Sequence, residues 1–81
     1  MIPRIKRANY VSAFTVHIVF TDGSEGDVDL KDELYGEMFE SLKDKSYFSR
    51  VFVHPEFHTL CWPNGTDLAP EFLYDKLQIL A

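Results

Sequence analysis

The sequence predicts an α+β domain, in which a small, mostly antiparallel sheet has two helices packed on one face. Two observations lead to this fold class. Apolar and polar residues alternate from position 14 to position 20, and leucines recur at positions 73, 77 and 80. The first pattern is typical of a half-buried strand and the second of a helix with a buried stripe. The remaining signals complete the expected order βββ-α-ββ-α.

The first third of the chain predicts a meander of three strands. A weak alternation from Ile5 to Val11 precedes the strongly apolar strand, and Ser12-Ala13 is a plausible tight connection between them. The core side of the second strand is expected to carry Phe14, Val16, Ile18 and Phe20. Asp22-Gly23 is a turn pair typical of hairpins, so residues 25–28 should return as a short third strand.

The middle of the chain predicts the first helix. Asp29 is expected to cap it, because its carboxylate can accept a free backbone N–H, and Gly36 is expected to interrupt or end its first turn. Apolar residues with helical spacing then indicate its buried face: Leu34, Met38, Phe39 and Leu42. One more helical turn is expected at 47–49, with Tyr47, Phe48 and Val51 towards the core.

Two further strands and a final helix are predicted after residue 50. The strands cover 51–54 and 59–62, and Pro55 lies in the turn between them, since proline cannot donate to a ladder. Asn64-Gly65 is a second turn pair. Asp67 is expected to cap the last helix, with Pro70 in its first turn and Leu73, Leu77 and Leu80 on its buried stripe.

Composition limits the function classes. The 81 residues form one expected domain, 1–81, with 13 acidic and 8 basic side chains and a net charge of −5. That charge argues against nucleic-acid binding by counterion release. The single Cys61 excludes an internal disulfide.

No apolar run is suited to a signal peptide or a membrane span, so we expect a cytoplasmic protein. The small size makes a homodimer, through a sheet edge or the last helix, a reasonable expectation.

The charges are unevenly distributed. Acidic residues concentrate between Asp22 and Glu40, whereas Arg4, Lys6 and Arg7 are basic. These opposite charges are suited to pairing, either within one chain or between chains. His17 is expected on the solvent face of its strand, where the pattern indicates no partner that would make it a general base.

A metal site is one hypothesis from the residue types. His54, His58 and Cys61 supply two imidazoles and a thiol, which are acceptable zinc ligands. The simpler interpretation is a polar hairpin tip followed by a buried thiol. No catalytic triad, phosphate loop or carboxylate pair can be assembled, so we expect no cofactor and no enzyme activity.

One motif is more specific than the others. Trp62-Pro63-Asn64-Gly65-Thr66-Asp67-Leu68-Ala69-Pro70-Glu71 is followed by Leu73-Tyr74. Together with Phe20-Thr21-Asp22-Gly23, Val28-Asp29-Leu30 and the segment 39–44, it resembles the bacterial domain-of-unknown-function family numbered 2442. The resemblance extends from about Pro3 to Tyr74. It implies a small α+β domain, free-standing or fused to a DNA-binding domain, that sits beside a second, toxin-like small protein.

The resemblance and the composition together favour a small cytoplasmic protein-interaction module. The more specific form of this hypothesis is an antitoxin-like or regulatory partner of another small protein. The interface candidates are Trp62, Asn64, Asp67 and Tyr74, because Trp and Tyr near a polar turn make good anchors; Trp62 could equally fill the core. The alternatives are a metal-binding protein and a DNA-associated regulator, and the net charge disfavours the second.

Overall fold

The computed structural model describes the backbone of residues 3–80 and the side chains of residues 3–77. Its elements are β1 (Ile5–Ser12), β2 (Thr15–Phe20), β3 (Glu25–Asp29), α1 (Lys45–Phe48), β4 (Phe52–Val53), β5 (Leu60–Cys61) and α2 (Pro70–Leu80). Two 3₁₀-helices, Lys31–Glu33 and Glu37–Lys43, connect β3 to α1. The α+β fold class is confirmed. Within the described residues, no helix is long and apolar enough to cross a membrane.

The predicted three-stranded meander is confirmed. The strands are antiparallel in the order β1-β2-β3, and a separate two-stranded sheet pairs β4 with β5. Ala13 connects β1 to β2 with a φ of 47°, and Gly23 turns the chain between β2 and β3 with a φ of 93°. Both connections therefore use left-handed backbone, and only glycine adopts that conformation without strain.

The core lies on one face of the three-stranded sheet. Val16, Ile18 and Phe20 of β2 are buried there, as the alternation predicts. The same cluster contains Phe48 of α1, Leu60 of β5, Trp62, and Leu73 and Leu77 of α2. Both helices therefore contribute to the same side of the sheet. Leu80 of the predicted stripe lies outside the described side chains.

A close contact sets the distance between α2 and the sheet. Gly26 faces the core on β3, opposite Ile18. A Cβ atom at this glycine would lie 2.6 Å from Cδ1 of Leu77. The absence of a side chain at position 26 is thus what lets α2 pack directly on β3.

The predicted interruption at Gly36 and the further helical turn near 47–49 are confirmed, but the prediction of α-helix from Leu34 to Leu42 is wrong. The region is divided into the two 3₁₀-helices and the four-residue α1, and Gly36 separates the 3₁₀-helices with a φ of 93°. Leu34 and Leu42 are buried as expected, but Met38 is 60% exposed. A 3₁₀-helix has three residues per turn, so the i, i+4 spacing does not keep Met38 on the buried side.

Neither predicted helix cap is found. Asp29 ends β3, and its carboxylate accepts the N–H of Lys31 in a local turn rather than capping a helix. Asp67 pairs with Cys61 in an isolated bridge. Helix α2 begins at Pro70, and the Ala69 carbonyl accepts its first N–H bond, from Leu73. Position 67 therefore lies too early in the chain to cap α2.

Candidate protein-interaction surface

Two backbone hydrogen bonds close the turn of the Trp-Pro-Asn-Gly motif. The N–H of Trp62 donates to the carbonyl of Thr66, and the N–H of Gly65 donates back to the carbonyl of Trp62. Oδ1 of Asn64 accepts the N–H of Thr66 at 3.0 Å. Gly65 has a φ of 88°, which other residues rarely adopt. The asparagine and the glycine therefore both serve the shape of the turn.

Three side-chain hydrogen bonds attach this loop to the rest of the fold. The indole N–H of Trp62 donates to the carbonyl of Phe48 at 2.9 Å, and the hydroxyl of Thr66 donates to the carbonyl of Met38 at 3.1 Å. The hydroxyl of Thr59 donates to the carbonyl of Leu68. Because these donors are buried or partly buried, breaking any of them would leave a polar group unpaired, so the loop is held in one conformation.

The structure separates the four predicted interface residues into two pairs. Trp62 is 1% exposed, so its side chain belongs to the core and cannot contact a partner directly. Tyr74 is half-buried, with its ring edge-on to Phe20 and its hydroxyl donating to Asp22 at 2.7 Å. Asn64 and Asp67 are exposed. The first pair supports the fold, and the second pair remains accessible.

Two surface cavities meet at Asp67. The first measures about 280 Å³, and its apolar lining includes Tyr35, Phe39, Leu68 and Phe72. The second measures about 290 Å³, and its lining includes Phe52, Phe57 and Pro63. Asp67 borders both. We call the exposed and half-buried residues that line these two cavities the Asp67 surface, which leaves out the buried Cys61 and Trp62 of the second cavity.

The Asp67 surface contains large apolar side chains that face solvent. Tyr35 is 72% exposed and Phe57 is 63% exposed, while Phe52 is also exposed. The sequence interpretation did not select these three aromatic residues. Their position beside turn residues is no sufficient signal, because Phe20 and Trp62 also lie next to turns and are buried.

The histidines of the metal hypothesis serve the hairpin between β4 and β5. Nδ1 of His54 accepts the backbone N–H groups of Glu56 and Phe57, and its ring stacks on Phe57 at 4.4 Å. His58 has a φ of 52°, and its carbonyl accepts the N–H of Ile5, which joins the hairpin to β1. Both histidines therefore act in the local structure of this hairpin.

The structure does not bring the proposed metal ligands together. Among the residues whose side chains it describes, no three His, Cys, Asp or Glu side chains are placed to hold a metal ion, and His54, His58 and Cys61 are among those residues. Cys61 is buried. Burial, and secondly the charge of Asp67, raises the pKa of its thiol. The thiol is thus a poorer nucleophile than an exposed one.

A charged cluster lies on the opposite, open face of the sheet. Nδ1 of His17 is 2.7 Å from Asp27, and Nε2 is 3.2 Å from Glu25. The sequence pattern indicates no partner for His17, but the pairing of β2 with β3 places the carboxylates of Asp27 and Glu25 beside its ring. The hydrogen bonds to Asp27 and then to Glu25 raise the pKa of His17. Among the described residues, no ion pair joins Arg4, Lys6 or Arg7 to an acidic side chain.

The fold and this surface define a small α+β protein with exposed aromatic side chains beside two surface cavities. A family model described as "Protein of unknown function (DUF2442)" matches residues 5–78. The chain belongs to this family. No curated protein and no solved structure matches the chain significantly.

Proposed function

We propose that this protein is a cytoplasmic protein-interaction module that binds another small protein through the Asp67 surface, in an antitoxin-like or regulatory role. One observation carries the proposal: two apolar cavities adjoin at a rigid loop and are bordered by exposed aromatic side chains. The proposal is therefore of a binding protein rather than an enzyme.

The aromatic residues support a protein partner. Tyr35, Phe52 and Phe57 expose ring surface that is favourable to bury, and aromatic residues in well-packed pockets carry most of the binding energy at protein interfaces. Scattered single apolar residues on a surface need no explanation. Here, however, the rings border cavities that share one residue.

The attachment of the loop supports the same role. Hydrogen bonds from Thr59 and Thr66 to the backbone hold the loop from both sides. A preorganised surface loses little conformational entropy when a partner binds, which raises affinity. The net charge of −5 favours a basic partner protein and disfavours nucleic acid.

The test is affinity capture with the full chain from cells of its source organism. Wild-type protein is compared with Tyr35→Ser and Phe57→Ser, and Val11→Ser serves as the matched control, since Val11 is an exposed apolar residue on β1 outside the surface. We expect a stoichiometric partner with wild type and Val11→Ser. For each aromatic substitution, we expect a weakening of roughly tenfold or more, the effect of losing an interface anchor.

Two outcomes would contradict the proposal. The first is a partner that binds equally well to wild type, Tyr35→Ser and Phe57→Ser, because the partner would then use another surface. The second is the absence of any stoichiometric partner across growth conditions. Thermal melting of each variant separates a lost contact from a lost fold, and both aromatic variants should melt close to wild type.

A further inference from the structure

We propose that the carboxylate of Asp67 binds a Lys or Arg side chain in a segment of the partner protein, and that large apolar side chains flanking this basic residue enter the two adjoining cavities. This inference rests on the proposed function and names the chemistry of the partner. Asp67 is then the residue that sets specificity, whereas the aromatic residues supply most of the contact area.

The position of Asp67 is set by backbone pairing on both sides. Asp67 itself forms a bridge with Cys61 of β5, and the next N–H, from Leu68, donates to the carbonyl of Leu60 at 3.2 Å. The hydroxyl of Thr59 bonds to Leu68 as well. The carboxylate is therefore presented from an ordered backbone, as a specificity group requires.

Three aspartates accept backbone N–H groups in local turns: Asp22, Asp29 and Asp44. The carboxylate of Asp67 is not used in this way, which is also true of Asp32 and Asp75, but of these three only Asp67 lines the cavities. No hydrogen bond or ion pair reaches the carboxylate of Asp67 from any residue the structure describes. Its acceptor capacity is thus available to a ligand.

The other carboxylate of the first cavity is already neutralised. Glu33 lies 3.1 Å from Nζ of Lys76, which also lies over the ring of Phe72. No Lys or Arg is among the residues that line either cavity. A cation that enters between the cavities therefore meets the unpaired negative charge of Asp67 and no nearby repulsion from the lining.

The size of the cavities indicates side chains rather than a whole small molecule. Each is close to the lower limit of typical ligand pockets, about 300 Å³. Two apolar cavities that share Asp67 in their lining match a segment in which a basic residue lies between apolar residues. Burial of such a pair between apolar walls strengthens the charge-assisted hydrogen bond, because the local dielectric constant is lower than in water.

The test is selection of random dodecapeptides displayed on phage against the full chain. Wild type is compared with Asp67→Asn and with Asp75→Asn, an exposed aspartate on α2 outside both cavities. We expect wild type and Asp75→Asn to select Lys or Arg flanked by large apolar residues. Synthetic copies of these peptides should bind Asp67→Asn at least tenfold more weakly, and Asp67→Lys should select acidic peptides instead.

The outcomes distinguish this inference from the proposed function. Apolar peptides that need Tyr35 and Phe57 but bind Asp67→Asn as well as wild type would overturn the role of Asp67 and leave the interaction surface intact. Peptides that bind independently of Tyr35 and Phe57 would contradict the proposed surface itself. A wild-type dimer in light scattering that Asp67→Asn converts to monomer would overturn the inference by making a second copy the occupant.

Discussion

The two faces of this small protein treat their charged groups in opposite ways. On the open face of the three-stranded sheet, His17 has carboxylate partners on both ring nitrogens. On the loop-rich side, Asp67 lines two apolar cavities, and no described residue bonds to its carboxylate. His17 on the sheet therefore has its charged partners within the fold, whereas Asp67 and the exposed aromatic residues of the loops are available to a partner protein.

This difference follows from how each region is built. Strand pairing aligns Asp27 opposite His17 and Glu25 opposite Val19, so the meander brings the charges of its own face together. The segment from Lys31 to Ala69 is mostly short helices and loops, whose side chains have no regular cross-strand neighbours. A rigid sheet with functional loops is a common division of roles in proteins.

The largest expected effect compares a buried and an exposed aromatic residue. Trp62→Ala should destabilise the protein by about 3–5 kcal/mol, the usual cost of deleting a large buried aromatic side chain. Phe57→Ala should change stability by less than about 0.5 kcal/mol, as surface substitutions usually do. Urea denaturation of both variants measures the difference.

Trp62→Phe keeps the comparison informative if Trp62→Ala does not fold. It retains an aromatic ring but removes the indole N–H that donates to the carbonyl of Phe48, which keeps only the N–H of Val51, and it leaves part of the indole volume empty. A loss of about 1–3 kcal/mol is therefore expected. Equal stability of Trp62→Phe and wild type would show that the indole bond does not hold the loop. The weaker partner binding expected of Phe57 variants, by contrast, should appear without any loss of stability.

A smaller effect is expected where α2 meets the sheet. Gly26→Ala should cost about 1–3 kcal/mol, because the new methyl group would overlap Cδ1 of Leu77. Leu77→Ala removes that atom, so the double variant should be more stable than the sum of the two single effects predicts. If the losses in the free energy of unfolding are strictly additive in urea denaturation, the side chain of Leu77 is not what excludes a methyl group at position 26.

The smallest expected effect concerns the cluster of His17, Asp27 and Glu25 on the open face of the sheet. The raised pKa of His17 means that the folded state binds the proton more tightly than the unfolded state. The stabilisation is present in full below the unfolded pKa of about 6.5 and is lost as pH rises through the higher folded pKa. Because the cluster is exposed, we expect less than about 1 kcal/mol.

NMR titration of the His17 ring measures this directly. Asp27→Asn should lower the pKa of His17 towards its ordinary value more than Glu25→Gln does, because the bond to Asp27 is the larger cause. Asp67→Asn serves as the control and should leave the titration of His17 unchanged. A titration of His17 that neither Asp27→Asn nor Glu25→Gln alters would contradict the paired cluster.

Local patterns predicted the sheet well and the first helix poorly. Alternation over 14–20 identified the buried side of β2, since a strand has a strict period of two. The spacing of Leu34, Met38 and Leu42 suggested an α-helix, but the turns on both sides of Gly36 are 3₁₀. A spacing of three or four positions between apolar residues does not distinguish an α-helix from a 3₁₀-helix over so short a segment.

The candidate site was predicted only in part. The Trp-Pro-Asn-Gly motif predicted Asn64 and Asp67, which are exposed, but it also suggested Trp62 and Tyr74 as contacts. Those two side chains are used in packing, with hydrogen bonds to Phe48 and Asp22. Burial of an aromatic residue depends on neighbours that are distant in the chain, so a local motif cannot decide it.

The sequence by itself determined the fold class, the meander, the turns at Gly23 and Gly65 and the family. Each of these depends on short-range periodicity, on backbone freedom at glycine or on a contiguous motif. Only the tertiary structure decided which aromatic residues face solvent and that Asp67 lines two apolar cavities without a bonded partner among the described residues. Tyr35 and Asp67 line the same cavity because segments about thirty residues apart pack together. Such contacts arise from packing across the whole chain.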